Sequence, residues 1–167
     1  MAEMTPFISD LAKSFARDLD TLSREVALYP DDASLWAERP GLPNTGGNLV
    51  LHLVGNVRHF IGLTIGGSGY VRNRDHEFAA REGSRAEIDA LIGAAKTEVA
   101  AALATLSEAT LAAPFPLAVG GVTLPTHMFL LHLATHFTFH LGQIDYHRRI
   151  VTGNPQSAGT LPISALV

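Results

Sequence analysis

Apolar residues recur at helical spacing along four stretches of the chain, separated by segments rich in glycine, proline and asparagine. In the first stretch Phe7, Ile8, Leu11, Phe15, Leu19, Leu22 and Val26 fall three to four positions apart, which lines one face of an α-helix. Thr5 is placed to cap that helix, and Pro6 to fill its first position, where the missing N–H costs nothing. Pro30, Asp31 and Asp32 end it. A loop containing Pro40, Gly41, Pro43, Asn44, Gly46 and Gly47 follows. Leu49, His52, Leu53, Asn56, Phe60 and Leu63 then mark a second helix, from about 48 to 65, stopped by Gly66-Gly67-Ser68-Gly69.

The third helix opens on Ser84-Arg85-Ala86-Glu87, the capping-box pattern in which side chain and backbone satisfy each other's free donors. Its stripe is Ile88, Leu91, Ile92, Ala95, Val99, Ala102, Leu103 and Leu106. The segment 117–124 predicts a small β-hairpin turning on Gly120-Gly121. A fourth helix runs from about 125 to 151, with Gly153 as its stop, Pro155 beyond it, and Arg148 and Arg149 suited to the dipole of its last turns. The tail 152–167 reads as irregular. There is no internal repeat, and the whole of 1–167 reads as one domain. Four amphipathic helices in one chain predict an all-α four-helix bundle. The connection 66–83 is long for a bundle. At up to ~3.3 Å per residue it can run a bundle's length, which lets helices two and three lie parallel on either side of a crossover.

Composition narrows the chemistry. With 167 residues, 47% hydrophobic and 17% charged, the chain can bury a core. A net charge of −4 argues against a nucleic-acid partner. The absence of cysteine excludes disulfides, thiolate metal sites and a cysteine nucleophile. No apolar run is long enough for a membrane span, and the first residues lack the basic-then-apolar pattern of a secretory signal. The expectation is a soluble cytoplasmic protein.

Histidine is the conspicuous residue. There are 8, and His127, His132, His136, His140 and His147 all lie in the fourth helix. With His132 as origin, His136 falls at ~40°, His140 at ~80°, Gln143 at ~20° and His147 at ~60° around that helix. A pair at i and i+4 can share one metal ion, and His52, set among leucines on the second helix, is the natural third ligand. Three protein ligands leave an open position, where a metal activates water or holds a thiolate. His132/His136 has the same spacing as His136/His140, so periodicity does not choose between them. His59, His76, His127 and His147 read as packed, hydrogen-bonded residues. Arg72 and Arg74, on the glycine-hinged connection, are candidates to pair with carboxylates of a substrate or cofactor, or simply with Asp75 and Glu77. Asn56 and Gln143 are candidates to orient a ligand or to support a metal-binding imidazole.

Other motifs are missing. There is no Glu-x-x-His of the di-iron bundles, no His-Glu-x-x-His, and Gly66-Gly67-Ser68-Gly69 fits neither a nucleophile elbow nor a phosphate-binding loop. Haem held between facing histidines, or a metal that only pins two helices, are the non-enzymatic alternatives.

His136-Phe-Thr-Phe-His140-Leu-Gly-Gln143-Ile144 resembles the H-x-x-x-H-x-G-Q-I motif on the last helix of the DinB-like family, also called YfiT-like metalloenzymes. Gly47-Asn48-Leu49-Val50-Leu51-His52-Leu53 resembles the same family's helix-two histidine, and the connection 70–78 resembles a segment of one branch. The resemblance implies a four-helix bundle in up-down-down-up order. It implies one divalent metal, nickel or zinc, on His52, His136 and His140, with His132 outside the ligand set. It further implies a homodimer and a small-molecule substrate. The expected activity is transfer of a low-molecular-weight thiol to an electrophile, with metal-dependent hydrolysis as the alternative.

Overall fold

The computed structural model describes residues 5–159 and 161–167. The chain is all-α, 65% helical, with no strand among the described residues. Its helices are α1 (Pro6–Ala27), α2 (Asp32–Leu35), α3 (Gly46–Val57), α4 (Arg74–Ala79), α5 (Arg85–Leu103), α6 (Glu108–Ala112) and α7 (Thr126–Thr152). A π-helical turn, Arg58–Leu63, continues α3, and a 3₁₀ turn, Ile163–Leu166, lies in the tail.

The end signals work as the sequence predicts. The Thr5 hydroxyl accepts from the backbone N–H of Ile8, and Ser84 and Glu87 close their capping box on α5. Gly153, at φ 67°, ends α7 in the left-handed conformation that glycine adopts without strain.

Cross-helix contacts fix the relative directions. Phe15 meets Phe137 edge-on at 6.4 Å, Asp18 accepts from Thr138, and Glu25 pairs with Arg148, so α1 and α7 run parallel. Lys96 reaches Asp20, and Asp89 reaches Ser23, so α1 and α5 run antiparallel. His52 lies against His136, and Phe60 against Phe129, so α3 runs opposite to α7. The buried stripes of these four long helices form one core, with Phe15, Leu19, Leu22, Leu53, Leu103, Leu130 and Phe137 almost wholly enclosed. Each such side chain contributes about 1.5–3 kcal/mol by leaving water.

Three expectations change. The second helix begins at Gly46, not 48, because Thr45 is its cap and Asn48 closes a capping box with it. The two glycines thus lie in the helix's first turn. A Cβ on Gly47 would stand 2.5 Å from the Trp36 ring, and one on Gly46 would collide with the Tyr29 hydroxyl. The same helix leaves α geometry after Val57, with Thr64 N–H donating to His59 O at 3.1 Å in the wider π turn. The predicted hairpin shrinks to one bridge between Val119 and Val122 across Gly120-Gly121, whose φ angles of 59° and 79° suit a two-glycine turn. The two arms meet again at a Pro114–Pro125 bridge, where the Phe115 N–H donates to Leu124 O at 2.8 Å, without forming a continuous strand.

Arg148 also departs from a simple dipole role. It is wholly buried, donates to Glu25 at 2.6 Å and Asp145 at 2.8 Å, and holds the carbonyls of Asn154 and Gln156. It therefore ties the start of the tail to α1 and α7.

Candidate metal centre

The antiparallel run of α3 against α7 brings His52 opposite the His136/His140 pair. One ring nitrogen of each lies within 4.8 Å of those of the other two. The Nε2 atoms of His52 and His136 are 3.3 Å apart. Two nitrogens ~2.0–2.1 Å from one tetrahedral ion stand at about that separation. His52 is buried, and His136 and His140 are half-buried at the edge of the core.

Hydrogen bonds set the tautomers of two of the three rings. The Nδ1–H of His52 donates to Glu77 Oε2 at 3.0 Å, since an ionised carboxylate only accepts. The Nδ1–H of His140 donates to Gln143 Oε1 at 2.6 Å. Each neutral ring carries a single N–H, so both leave Nε2 as a lone pair. Orienting partners of this kind accompany metal-binding histidines generally. The Nδ1 of His136 is buried without a hydrogen-bond partner. A proton on that atom leaves the Nε2 lone pairs of His136 and His52 facing each other, an arrangement that a cation between them relieves. The residues present therefore fit a divalent ion.

Charge and burial agree with that arrangement. Burial, reinforced by His140, His52, His132 and Arg72, lowers the His136 pKa to about 4. His140 is lowered chiefly by burial, against the opposing effect of its bond to Gln143. Both rings are neutral near pH 7, the state that binds metal. Burial alone would raise the Glu77 carboxyl, but bonds from Arg72 and His52 hold it below the ordinary range.

Glu77 is the site residue that sequence reasoning missed as anything but a loop ion-pair partner. It sits on α4, within the 66–83 connection, and is 4% exposed. Arg72 grips it with two bonds, Nε to Oε1 at 2.7 Å and Nη2 to Oε2 at 2.8 Å. Asn48 on α3 holds the same segment by donating to the carbonyls of Glu77 and Ala80, each at 2.9 Å. Gly55 makes room, since a Cβ there would collide with the Glu77 carboxylate. The acidic first turn of α4, capped by Asn73, was the only local hint.

The other candidates are dispersed. Arg72 joins the site through Glu77, its Nη2 lying 3.4 Å from His52 Nδ1. Arg74 does not join it and lies over the Phe78 ring at 5.2 Å. Asn56, one turn beyond His52, is 8% exposed, with an Oδ1 that has no partner. His132 is exposed, stacked on Phe129 with ring centres 6.0 Å apart, and is outside the triad.

The remaining histidines divide. His147 is a packed structural residue, its Nε2–H donating to Ala37 O at 2.9 Å and its Nδ1 accepting from Tyr29 Oη at 2.7 Å. His127 bonds Leu111 O, and His76 is exposed on α4. His59, in the π turn, has a buried Nδ1 with no partner rather than the hydrogen bond expected of a packed histidine.

A cleft of about 220 Å³ opens beside His140, between α7 and the segment before α3. Leu42, Pro43, Leu49 and Tyr146 form its apolar wall, and Asn44 and Gln143 bring carboxamides to it.

No curated protein matches the chain significantly. The DinB superfamily model matches residues 14–144, a span that includes α3, α5, all three histidines and Gln143. With most of its length matched, and with three histidines able to hold a metal ion, the chain belongs to the DinB superfamily.

Proposed function

We propose that this protein is a divalent-metal-dependent enzyme that transfers a small external thiol to an electrophilic small molecule. In this reading the four long helices form a bundle in up-down-down-up order, and His52, His136 and His140 hold nickel or zinc. The observation that carries the reading is the 3.3 Å approach of the His52 and His136 Nε2 atoms, with the His52 lone pair turned to His136 by the bond from its Nδ1–H to Glu77. A metal bound there by three protein ligands supplies Lewis acidity at an open position, sufficient to keep a thiol ionised near neutral pH.

The chain's own residues do the rest. Glu77 and Gln143 fix the planes of His52 and His140 by accepting their Nδ1 protons. Arg72 neutralises Glu77 and keeps it in place. The chain has no cysteine, so the sulfur that reacts comes from a separate molecule. The cleft beside His140 gives the second reactant a place next to the open side of the triad. We propose that the protein acts in the cytoplasm as a homodimer.

The test is metal content per chain for wild type and for His52→Ala, His136→Ala and His140→Ala. The expected result is near-stoichiometric metal in wild type and none in the three variants. Wild type that binds no zinc or nickel after reconstitution overturns the proposal. Where metal binds, turnover of electrophiles that requires added thiol supports transfer, and turnover without thiol assigns hydrolysis instead.

A further inference from the structure

The cleft beside His140 differs from the rest of the site in having no charge. None of its lining residues is Lys, Arg, Asp or Glu. Arg72, the cation against His52, is committed to Glu77 on the side of the triad away from the cleft. Apart from an ion held by the triad, a carboxylate or phosphate entering this cleft would meet no counter-charge among its lining residues, which disfavours binding.

Two carboxamides supply the polarity. Gln143, which lines the cleft, spends its Oε1 on His140, so its NH2 remains to donate. Asn44 offers both a donor and an acceptor at the rim. His147 contributes only its ring, because both its nitrogens are engaged by Tyr29 and Ala37. The volume lies below the ~300–1,000 Å³ of pockets that take drug-sized ligands.

From this geometry we infer that the molecule held beside the triad is small, uncharged and mostly apolar, of one ring or a short chain. It carries a hydrogen-bond acceptor that meets the NH2 of Gln143, and its apolar body lies against Leu42, Leu49 and Tyr146. That this molecule is the electrophilic substrate rests on the metal-centre reading above; the chemistry of the cleft does not.

The pair benzamide and benzoate tests the inference, since they share shape and differ in charge. Each is titrated into the zinc-loaded protein and into the same protein stripped of zinc, with backbone amide resonances followed by NMR. Benzamide is expected to shift residues 42–49 and 140–147 in both forms. In the zinc-free form, where a carboxylate has no ion to bind, benzoate is expected to bind about tenfold more weakly or worse. Tyr146→Ala, a change at an exposed side chain, is expected to weaken benzamide several-fold while leaving zinc content unchanged. Benzoate binding as tightly as benzamide without zinc, or benzamide shifts outside this cleft, overturns the inference. A chain that takes up neither zinc nor nickel yet binds benzamide in the cleft supports the cleft chemistry and overturns the metal-centre reading.

Discussion

Glu77 reaches His52 from a separate element: its Oε2 accepts the imidazole Nδ1–H at 3.0 Å across 25 positions of sequence. The bond points the opposite nitrogen of His52 at His136 and makes the short helix α4 part of the candidate metal centre. Glu77→Gln removes the carboxylate charge, and Glu77→Ala removes the partner. Both are expected to lower zinc affinity by about 10–100-fold, the usual cost of losing a partner behind a ligand. Competition against a chromophoric chelator measures this. Affinity unchanged in both variants would mean that the bond does not support metal binding.

Gly55 makes the same point from the opposite side. Alanine there favours the helix by about 0.5–1 kcal/mol but places a methyl group in the Glu77 carboxylate. Gly55→Ala is expected to keep helical content by circular dichroism while weakening zinc binding in the direction of Glu77→Gln. Wild-type affinity would mean that α4 moves without consequence for His52.

The buried histidines set the pH dependence of the metal-free chain. His136, His140, His59 and His147 all have pKa values lowered by burial, His136 to about 4, from a reference of 6.5. The folded state thus binds protons less readily than the unfolded state. Stability is complete above 6.5 and falls as pH drops through the window from 6.5 toward 4. Urea midpoints measured between about pH 7.5 and about pH 5 should decline steadily. His147→Phe should flatten that slope. A midpoint that rises on acidification would contradict the assignment of neutral buried rings.

Arg148 is the charge whose loss should hurt the fold most. It is completely enclosed, and Glu25, its partner at 2.6 Å, is 3% exposed. Arg148→Ala leaves that carboxylate without its cation and frees the carbonyls of Asn154 and Gln156. The expected loss is about 3–5 kcal/mol by denaturant unfolding. A loss under about 1 kcal/mol would show that the tail and Glu25 find other partners.

Tyr29 is wholly buried, and its hydroxyl is the donor to His147 Nδ1. Tyr29→Phe strands that nitrogen in the core. It should cost about 1–3 kcal/mol of stability. Zinc content should not change, because His147 is outside the triad.

Much of this was readable from residue order. The four long helices, the Ser84–Glu87 capping box and the Gly153 stop all rest on local rules. Helical spacing also marked the i, i+4 histidine pairs and His52 as candidate ligands, although joining His52 to His136 and His140 in preference to His132 needed the family motif. What resisted reading involves wider geometry. Gly46 and Gly47 look like loop residues until Tyr29 and Trp36 are seen packed against them. The π turn after Val57 has no spacing signature, and within it His59 carries an unpartnered Nδ1 where a hydrogen bond was expected. Arg148 looks like a helix-end cation until Glu25 and the tail enclose it.

Periodicity, capping and turn chemistry act over a few residues, so the sequence by itself determined the long helices, their ends and the side chains able to ligate a metal. It also determined that the chain carries no thiol of its own, because no cysteine is present. The tertiary structure decided which ring nitrogens face one another, that Glu77 rather than solvent stands behind His52, and that no charged residue lines the cleft beside His140. Those features depend on side chains brought within hydrogen-bond distance from positions 25 to 84 residues apart. Proximity of that kind arises only when helices pack, because burial and the need to satisfy each buried polar group act on the folded chain as a whole.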